Sequence, residues 1–442
     1  MTIFNIKPLR CVHARIPIPA DKSISHRALI ISAIAEGATE IRNFLESQDT
    51  LATMGCLKKM KIKMSYSKLL RRVIVTGKGL KWPKSKPLSL YASSSGTTIR
   101  ILSGILAGQE SEVTFNASEG LRRRPMARIT APLRKMNARI EGRKIKSNEY
   151  PPLVIRPAQG LCGIHYILPQ ASAQVKTALL FASLYAQGPT RIKEPYPCRD
   201  HTERMLTLFK AAIRTERGYI VSTPVKKLKG PRTLFVPGDF SSAAFFIAAG
   251  VLLEQSKITL PRIGINPTRI GFLGLLKKMG ARIELKNKKN YFEPYADIVV
   301  SSSRLRALTV NARQVPLLID ELPILMVCAS FARGTTRIYG LKELKVKETD
   351  RITSMVYNLR KAGVDITAGQ YGKKKDWKVV IRGNPAFKSA CPLRFKSFSD
   401  HRTAMSMIVF GIASGCRHSI DDIRCIDKSF PGFVALVKSL YR

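Results

Sequence analysis

No run of about 18 or more uncharged apolar residues occurs in this chain of 442 residues, so no membrane-spanning helix is expected. The first 30 residues lack the apolar core of a secretory leader, and a helix-capping motif already begins at residue 20, which leaves no room for an organelle-targeting segment. A cytoplasmic location with no membrane partner follows as the expectation. The eight cysteines (11, 56, 162, 198, 328, 391, 416 and 425) include no CxxC pair and no His/Cys cluster at metal-ligand spacing. Reduced, mostly packed thiols are therefore expected, with no metal and no disulfide. Acidic residues are scarce: 30 Asp and Glu face 75 Lys and Arg, a net charge of +45. A charge this large suits polyanion binding, since basic surfaces release counterions when they meet nucleic acid. Yet the bases form no tail or block. The densest runs, Lys58 to Lys63, Arg122 to Arg124 and Lys373 to Lys375, are short and scattered, with no aromatic-rich RNA motif beside them. No nucleic-acid partner is expected, and the charge is read as solvated surface with some attraction for a small, highly anionic substrate.

What the chain does contain is a repeat. Six times a polar cluster leads into an apolar helical stretch that breaks at a turn and gives way to a β-type run. The strand residues Ile41, Val113, Ile192, Ile258, Ile338 and Ile420 mark the junctions, spaced 72, 79, 66, 80 and 82 apart. The polar lead-ins are Asp21-Lys22-Ser23, Ser93 to Thr97, Ser172-Ala173-Gln174, Gly238 to Ser242, Asp320-Glu321 and Ser399 to Arg402. Helix starts carry unpaired N–H groups and partial positive charge, so six of them around shared clefts suit phosphates and carboxylates. The expected helices are 21–35, 96–106, 175–186, 241–253, 322–331 and 403–412, and β-branched runs such as 72–76, 153–155, 219–223, 298–301 and 379–382 fall late in the units. At this length one core is insufficient and two domains are expected, split three repeats and three. The boundaries are placed at 21–238 for the first domain, and at 1–20 with 239–442 for the second, with chain crossings near 20 and 239.

Several clusters carry ligand chemistry. Lys22 and Arg27 lie five apart across a helix start, where an ammonium and a guanidinium reach one anion together with Ser23. Lys345 to Arg351 puts bases, carboxylates and a fork-shaped donor within about one helical turn. Lys347 and Arg351 are a like-charged i,i+4 pair, which calls for compensation by an anion or by Glu348 and Asp350. Asp400-His401-Arg402 is followed by Lys428, and Asp320-Glu321 brings two carboxylates into an apolar helix. A hydroxyl-rich helix start is a plain cap more often than a ligand site, so it is the recurrence at one position in the repeat that gives these clusters weight.

Along essentially its whole length the sequence resembles the 3-phosphoshikimate 1-carboxyvinyltransferases of the enolpyruvyl transferase family. The resemblance rests on Asp21 to Arg27, Ser95 to Arg100, Arg124-Pro125, Ser172 to Lys176, Arg199 to Glu203, Gly238 to Ala243, Val346 to Arg351 and Asp400 to Arg402. It departs from the family at Ser93-Ser94, where Gly-Asn is usual, and at Cys198, where Ser is common. The resemblance implies an α/β fold of two similar domains, each of three βαβαββ repeats in an inside-out α/β barrel, hinged to close over substrate. It implies shikimate 3-phosphate contacts from Lys22, Ser23, Arg27, Ser172, Ala173, Gln174, Asp320 and Lys347. Phosphoenolpyruvate contacts are implied for Lys22, Gly96, Arg124, Gln174, Arg351, Arg402 and Lys428.

The implied reaction moves the carboxyvinyl group of phosphoenolpyruvate to the 5-hydroxyl of shikimate 3-phosphate, a step of aromatic amino acid biosynthesis that needs neither metal nor other cofactor. Asp320 is assigned as base, Glu348 as the acid for the methylene carbon and Lys22 as proton donor to the departing phosphate. Glu348 as an acid requires burial or a shared proton. A monomer is expected. The sister transferase acting on UDP-N-acetylglucosamine carries a reactive Cys near the Arg124 region, whereas 115–126 contains none here. RNA 3′-terminal phosphate cyclase shares only the repeat.

Overall fold

The computed structural model describes residues 2–373 and 375–441; Lys374, in the middle of the Lys373 to Lys375 run, lies outside the described residues. The chain divides into two compact units, Ala20–Val236 and Met1–Pro19 with Pro237–Arg442. The unit Ala20–Val236 holds helices α1 (Lys22–Ala33), α2 (Gln48–Lys59), α3 (Gly96–Leu106), α4 (Ala173–Ser183) and α5 (His201–Leu208). Its three main sheets share one pattern, in which two parallel strands are followed by an antiparallel pair. Leu88–Tyr91 runs parallel to Val113–Asn116, which pairs antiparallel with Asn148–Arg156 and that in turn with Arg139–Ile145. The sheet around Glu36–Arg42 and the sheet around Thr190–Lys193 repeat it.

The second unit contains α6 (Phe240–Leu252), α7 (Leu322–Ser330), α8 (Arg351–Lys361) and α9 (His401–Ala413). Two of its sheets are four-stranded with the same pattern, and the third has three strands, Phe4–Ile6, His418–Ile420 and Leu393–Phe395. Among the described residues no sheet closes on itself. No helix among the described residues is long and apolar enough to cross a membrane.

The repeat arises from local chemistry. Each junction residue, from Ile41 to Ile420, lies on a strand and is at most 1% exposed, because the strand turns that side chain toward the helices. At Gly37 and Gly334 the chain leaves its helix with φ of 85° and 101°, a region costly for residues with a Cβ. Side-chain caps start the helices: Asp21 accepts from Ile24 N, Ser95 from Thr98 N, Asp239 from Ser241 N and Ser242 N, and Asp400 from Arg402 N and Thr403 N. α1, α3, α4, α6, α7 and α9 are buried on nearly every side. Such helices show little of the polar/apolar alternation of a surface helix.

One expectation fails. Cys391 and Cys416 form a disulfide, with Cα atoms 6.1 Å apart and a sequence separation of 25. Leu393 pairs in parallel with His418, so positions two residues earlier on each chain come side by side. Short-range spacing rules miss a pair made by strand register. Of the six free cysteines, Cys56, Cys198, Cys328 and Cys425 are buried.

Candidate active site

In the unit Ala20–Val236 the start of α1 presents Lys22, whose Nζ lies 3.0 Å from Asp49 Oδ2 at the start of α2. A chain of hydrogen bonds runs behind it. His26 Nδ1 and Thr53 Oγ1 are 2.7 Å apart, Thr53 Oγ1 and Thr98 Oγ1 2.7 Å, and Thr98 Oγ1 donates to Ser95 Oγ at 2.7 Å. This buried chain ties α1 and α2 to the start of α3, where Gly96 lies. A Cβ on Gly96 would stand 3.3 Å from Arg124 Nη1 and 3.4 Å from Arg100 Nη1, so two guanidiniums border this helix start. Arg100 Nη1 donates to Gln174 Oε1 at 2.8 Å, and Gln174 Nε2 donates to Thr97 Oγ1 at 3.1 Å, which joins the starts of α3 and α4. The geometry therefore places Lys22, Gly96, Ser172, Ala173 and Gln174 on helix starts, with Arg124 reaching Gly96 from the turn after Glu119–Arg122.

Arg27 is 3% exposed. Its Nε donates to Thr202 Oγ1 at 2.7 Å, Nη2 to Thr177 Oγ1 at 2.8 Å and Nη1 to the Ser23 carbonyl at 3.0 Å. The Thr177 and Thr202 hydroxyls are 2.6 Å apart. Much of the guanidinium's donor capacity thus fixes its plane between α1, α4 and α5.

In the second unit the starts of α7, α8 and α9 meet at Arg351, whose side chain is 2% exposed. It touches three carboxylates: Asp400 Oδ2 at 2.9 Å, Glu348 Oε2 at 2.7 Å and Asp320 Oδ1 at 3.3 Å. Burial opposes the charged form, but Asp400, Glu348 and Asp320 outweigh it and raise the Arg351 pKa above the usual arginine value. Burial alone would raise the Asp400 pKa; Arg351 and His401 hold it below the usual carboxylate range. Removing one partner of such a buried set costs about 3–5 kcal/mol.

Arg402 Nη2 approaches Asp320 Oδ2 at 3.9 Å, and Arg402 Nε is buried with no hydrogen-bond partner among the described residues. Burial pulls the Lys347 pKa down despite Asp320 and Glu343 nearby. The compensation expected for Lys347 and Arg351 is met in part: Glu348 pairs with Arg351 as expected, whereas Asp350 pairs with Lys345, and Arg351 draws further on Asp320 and Asp400. Lys428 lies on the short turn Ile426–Lys428 that packs against α9. Glu348 is 36% exposed, so it is not deeply buried, and its contact is a guanidinium.

One supporting group, Asp49, escaped the sequence reading, and two that it named, Arg100 and Glu321, have partners that it did not supply. Asp49 is 27 residues from Lys22 and belongs to no polar lead-in. Arg100 was visible in its motif, four residues after Gly96, yet the link to Gln174 spans 74 residues. Glu321, 1% exposed, gives no side-chain cap to α7 and instead accepts a hydrogen bond from Ser241, which also receives one from Arg269 at 2.8 Å. That network anchors the residue next to Asp320. Two departures from regular backbone lie at these starts: Ser93 has φ 52°, and Phe398 and Ser399, just before Asp400, have 53° and 55°. Side chains in this region cost of order 1 kcal/mol, strain that accumulates at functional sites.

The chain matches known proteins in sequence and in fold. Residues 6–436 match the family model described as EPSP synthase (3-phosphoshikimate 1-carboxyvinyltransferase). The chain is 41% identical over 438 residues to the 3-phosphoshikimate 1-carboxyvinyltransferase of Petrotoga mobilis, covering 99% of each. It is 41% identical over 430 residues to that of Thermoanaerobacter sp., covering 97% of this chain and 98% of the relative. The EPSP synthase from Acinetobacter baumannii superposes with a TM-score of 0.87 at 37% identity, over 99% of this chain and 98% of that one. The enolpyruvyl transferase NikO from Streptomyces tendae, at 15% identity and a TM-score of 0.73 over 99% and 97% of the two chains, shares the two-domain α/β fold. With a match that spans nearly every residue and relatives aligned from end to end, the chain belongs to the EPSP synthase family.

Proposed function

We propose that this protein is a cytoplasmic transferase that moves the carboxyvinyl group of phosphoenolpyruvate to the 5-hydroxyl of shikimate 3-phosphate, giving 5-enolpyruvylshikimate 3-phosphate and phosphate. The observation that carries the reading is membership of the EPSP synthase family across residues 6–436. Shikimate 3-phosphate is held by Lys22, Ser23, Arg27, Ser172, Ala173, Gln174, Asp320 and Lys347. Phosphoenolpyruvate is held by Lys22, Gly96, Arg124, Gln174, Arg351, Arg402 and Lys428. Each domain is read as three βαβαββ repeats arranged as an inside-out barrel, over 21–238 and over 1–20 with 239–442.

Asp320 takes the proton from the 5-hydroxyl as its oxygen attacks C2 of phosphoenolpyruvate, while the methylene carbon receives a proton from Glu348. The resulting tetrahedral adduct then loses phosphate, with Lys22 giving the proton to the leaving group and Glu348 recovering its proton from the new methyl group. The proton that Asp320 gained replaces the one that Lys22 gave, through solvent as products leave, so addition and elimination balance with no other reactant. The three-carboxylate arrangement around Arg351 supports the assignment of Glu348. A phosphoenolpyruvate anion that takes up Arg351 displaces a carboxylate from it, and a carboxylate left beside a new anion gains proton affinity. The test is phosphate release by purified protein. Release must require both phosphoenolpyruvate and shikimate 3-phosphate, and release with either one absent, or none with both, would refute the reading.

A further inference from the structure

Below the start of α4 lies a buried ionisable cluster that the proposed chemistry does not use. Lys176 is 1% exposed, and its Nζ lies 2.6 Å from Glu203 Oε1 and 3.0 Å from Glu194 Oε1. It also donates to the Cys198 carbonyl at 3.3 Å, and the Cys198 thiol donates to Glu194 Oε1 at 2.6 Å. Burial raises the Glu203 pKa against the opposing pull of Lys176. Burial works against the lysine charge too, yet Glu203, Cys198 and Glu194 together raise the Lys176 pKa. The ammonium therefore stays charged in a place it could not occupy without these partners. Glu203 Oε2 is buried with no hydrogen-bond partner among the described residues, so the carboxylate depends on its Oε1 contact with Lys176.

The start of α4 needs outside support. Its cap is weak: Ser172 Oγ accepts from Val175 N at 3.5 Å, the outer limit of a hydrogen bond. The bond that closes the first turn is Lys176 N to the Ser172 carbonyl, at 3.0 Å. Where Lys176 is held, Ser172 follows, and Ala173 and Gln174 lie inside the same turn. One residue further on, Thr177 meets Thr202 of α5, and these two hydroxyls accept from Arg27. The adjacent pairs Lys176 with Glu203 and Thr177 with Thr202 thus fasten α4 to α5 directly behind the groups assigned to shikimate 3-phosphate.

We propose that Lys176, clamped by Glu203, is a positioning residue that sets the start of α4 and the plane of Arg27 for shikimate 3-phosphate. The inference rests on the assignment of Ser172, Ala173, Gln174 and Arg27 to that ligand. A small displacement of such groups weakens binding without removing any contact atom, since ligand-touching side chains are only as accurate as the residues behind them.

A single Lys176→Met change strands two carboxylates in the interior and puts folding itself at risk, so the test uses the double variant Lys176→Met/Glu203→Leu, which removes the pair together. With shikimate 3-phosphate as probe, calorimetry on the folded double variant should show affinity lowered about tenfold or more, with KM for that substrate raised in step and kcat within about threefold of the parent. The variant Glu203→Gln, which keeps an oxygen for Lys176 and leaves Glu194 as counter-ion, should bind within about twofold of the parent. Parental affinity in the double variant would overturn the proposal, and so would a loss in Glu203→Gln as large as in the double variant. If the parent protein itself binds no shikimate 3-phosphate, the functional reading falls instead, and the two failures are told apart by that control.

Discussion

His26 offers a quantitative test of the buried hydrogen-bond chain beneath Lys22. Its side chain is 0% exposed on α1, with Nδ1 2.7 Å from Thr53 Oγ1. Burial is the main cause that pushes its pKa down from the ordinary 6.5 to about 3; Lys22 and Arg27 add to the drop, and Asp49 and Asp21 oppose it. The unfolded chain therefore binds a proton that the native protein refuses throughout the window from 6.5 down to about 3. Stability from this residue is fully present above 6.5 and is lost as the pH falls. The slope is about 1.4 kcal/mol per pH unit, which amounts to about 2 kcal/mol by pH 5. His26→Asn keeps an amide in hydrogen-bond reach of Thr53 and removes the titration. The smaller side chain carries a constant packing cost, so the informative quantity is the difference in pH slope between variant and parent, in which other titrating groups cancel. Urea-unfolding midpoints followed by circular dichroism between about pH 7 and about pH 4.5 should show a shallower dependence for the variant by one proton. Parallel pH curves would refute the reasoning, because they would mean that His26 charges inside the native protein.

Asp320→Asn keeps the contacts of Asp320 with Arg351 and Arg402 nearly unchanged in shape, and turnover should fall by about 10²-fold or more while shikimate 3-phosphate still binds in calorimetry. Gly96→Ala places a methyl 3.3 Å from Arg124 Nη1 and 3.4 Å from Arg100 Nη1, so steady-state kinetics should show a raised KM for phosphoenolpyruvate with shikimate 3-phosphate affinity little changed. Ser93→Gly relieves a residue at φ 52° and should raise the unfolding midpoint, a gain of about 0.5–1 kcal/mol after the extra unfolded-state entropy is subtracted. The +45 charge should act through long-range attraction of anions, so kcat/KM should fall as potassium chloride rises while kcat at saturating substrate changes little; a flat profile together with RNA retained on filters at physiological salt would overturn substrate steering.

What could be seen in the sequence was local. The caps Asp21, Asp239 and Asp400 bond to amides two or three residues ahead, and the apolar helices and β-branched strands follow within the same short windows. The strand Tyr219–Thr223 coincides with its β-branched run. α4 starts two residues before the expected Val175, because Ser172 caps it while its polar first turn hides the helix from an apolar count. The partners of charged groups were not visible. Arg351 finds Asp320 across 31 residues and Asp400 across 49, and no spacing rule links such positions. Lys22 meets Asp49 and Cys391 meets Cys416 for the same reason: helix packing and strand register choose them. An acid at Glu348 requires burial or a shared proton, and of these the structure does not supply deep burial, leaving Glu348 partly exposed against Arg351.

The discontinuous make-up of the unit Met1–Pro19 with Pro237–Arg442 has a consequence for synthesis on the ribosome. The strand Phe4–Ile6 has His418–Ile420 as its partner, and His13–Arg15 joins Lys257–Gly264. At about 5–20 residues per second, the first strand emerges roughly 20–80 s before its partner has been made. Ala20–Val236 is continuous, so it can finish folding while the leading 19 residues trail from it as an unpaired strand. Chains that terminate early in the last repeat would carry a folded middle with open strand edges at one end, the species most prone to pair with its own copies. Full-length translation is therefore a condition for closing the second unit, and premature termination near its end should appear as aggregation rather than as a smaller active protein.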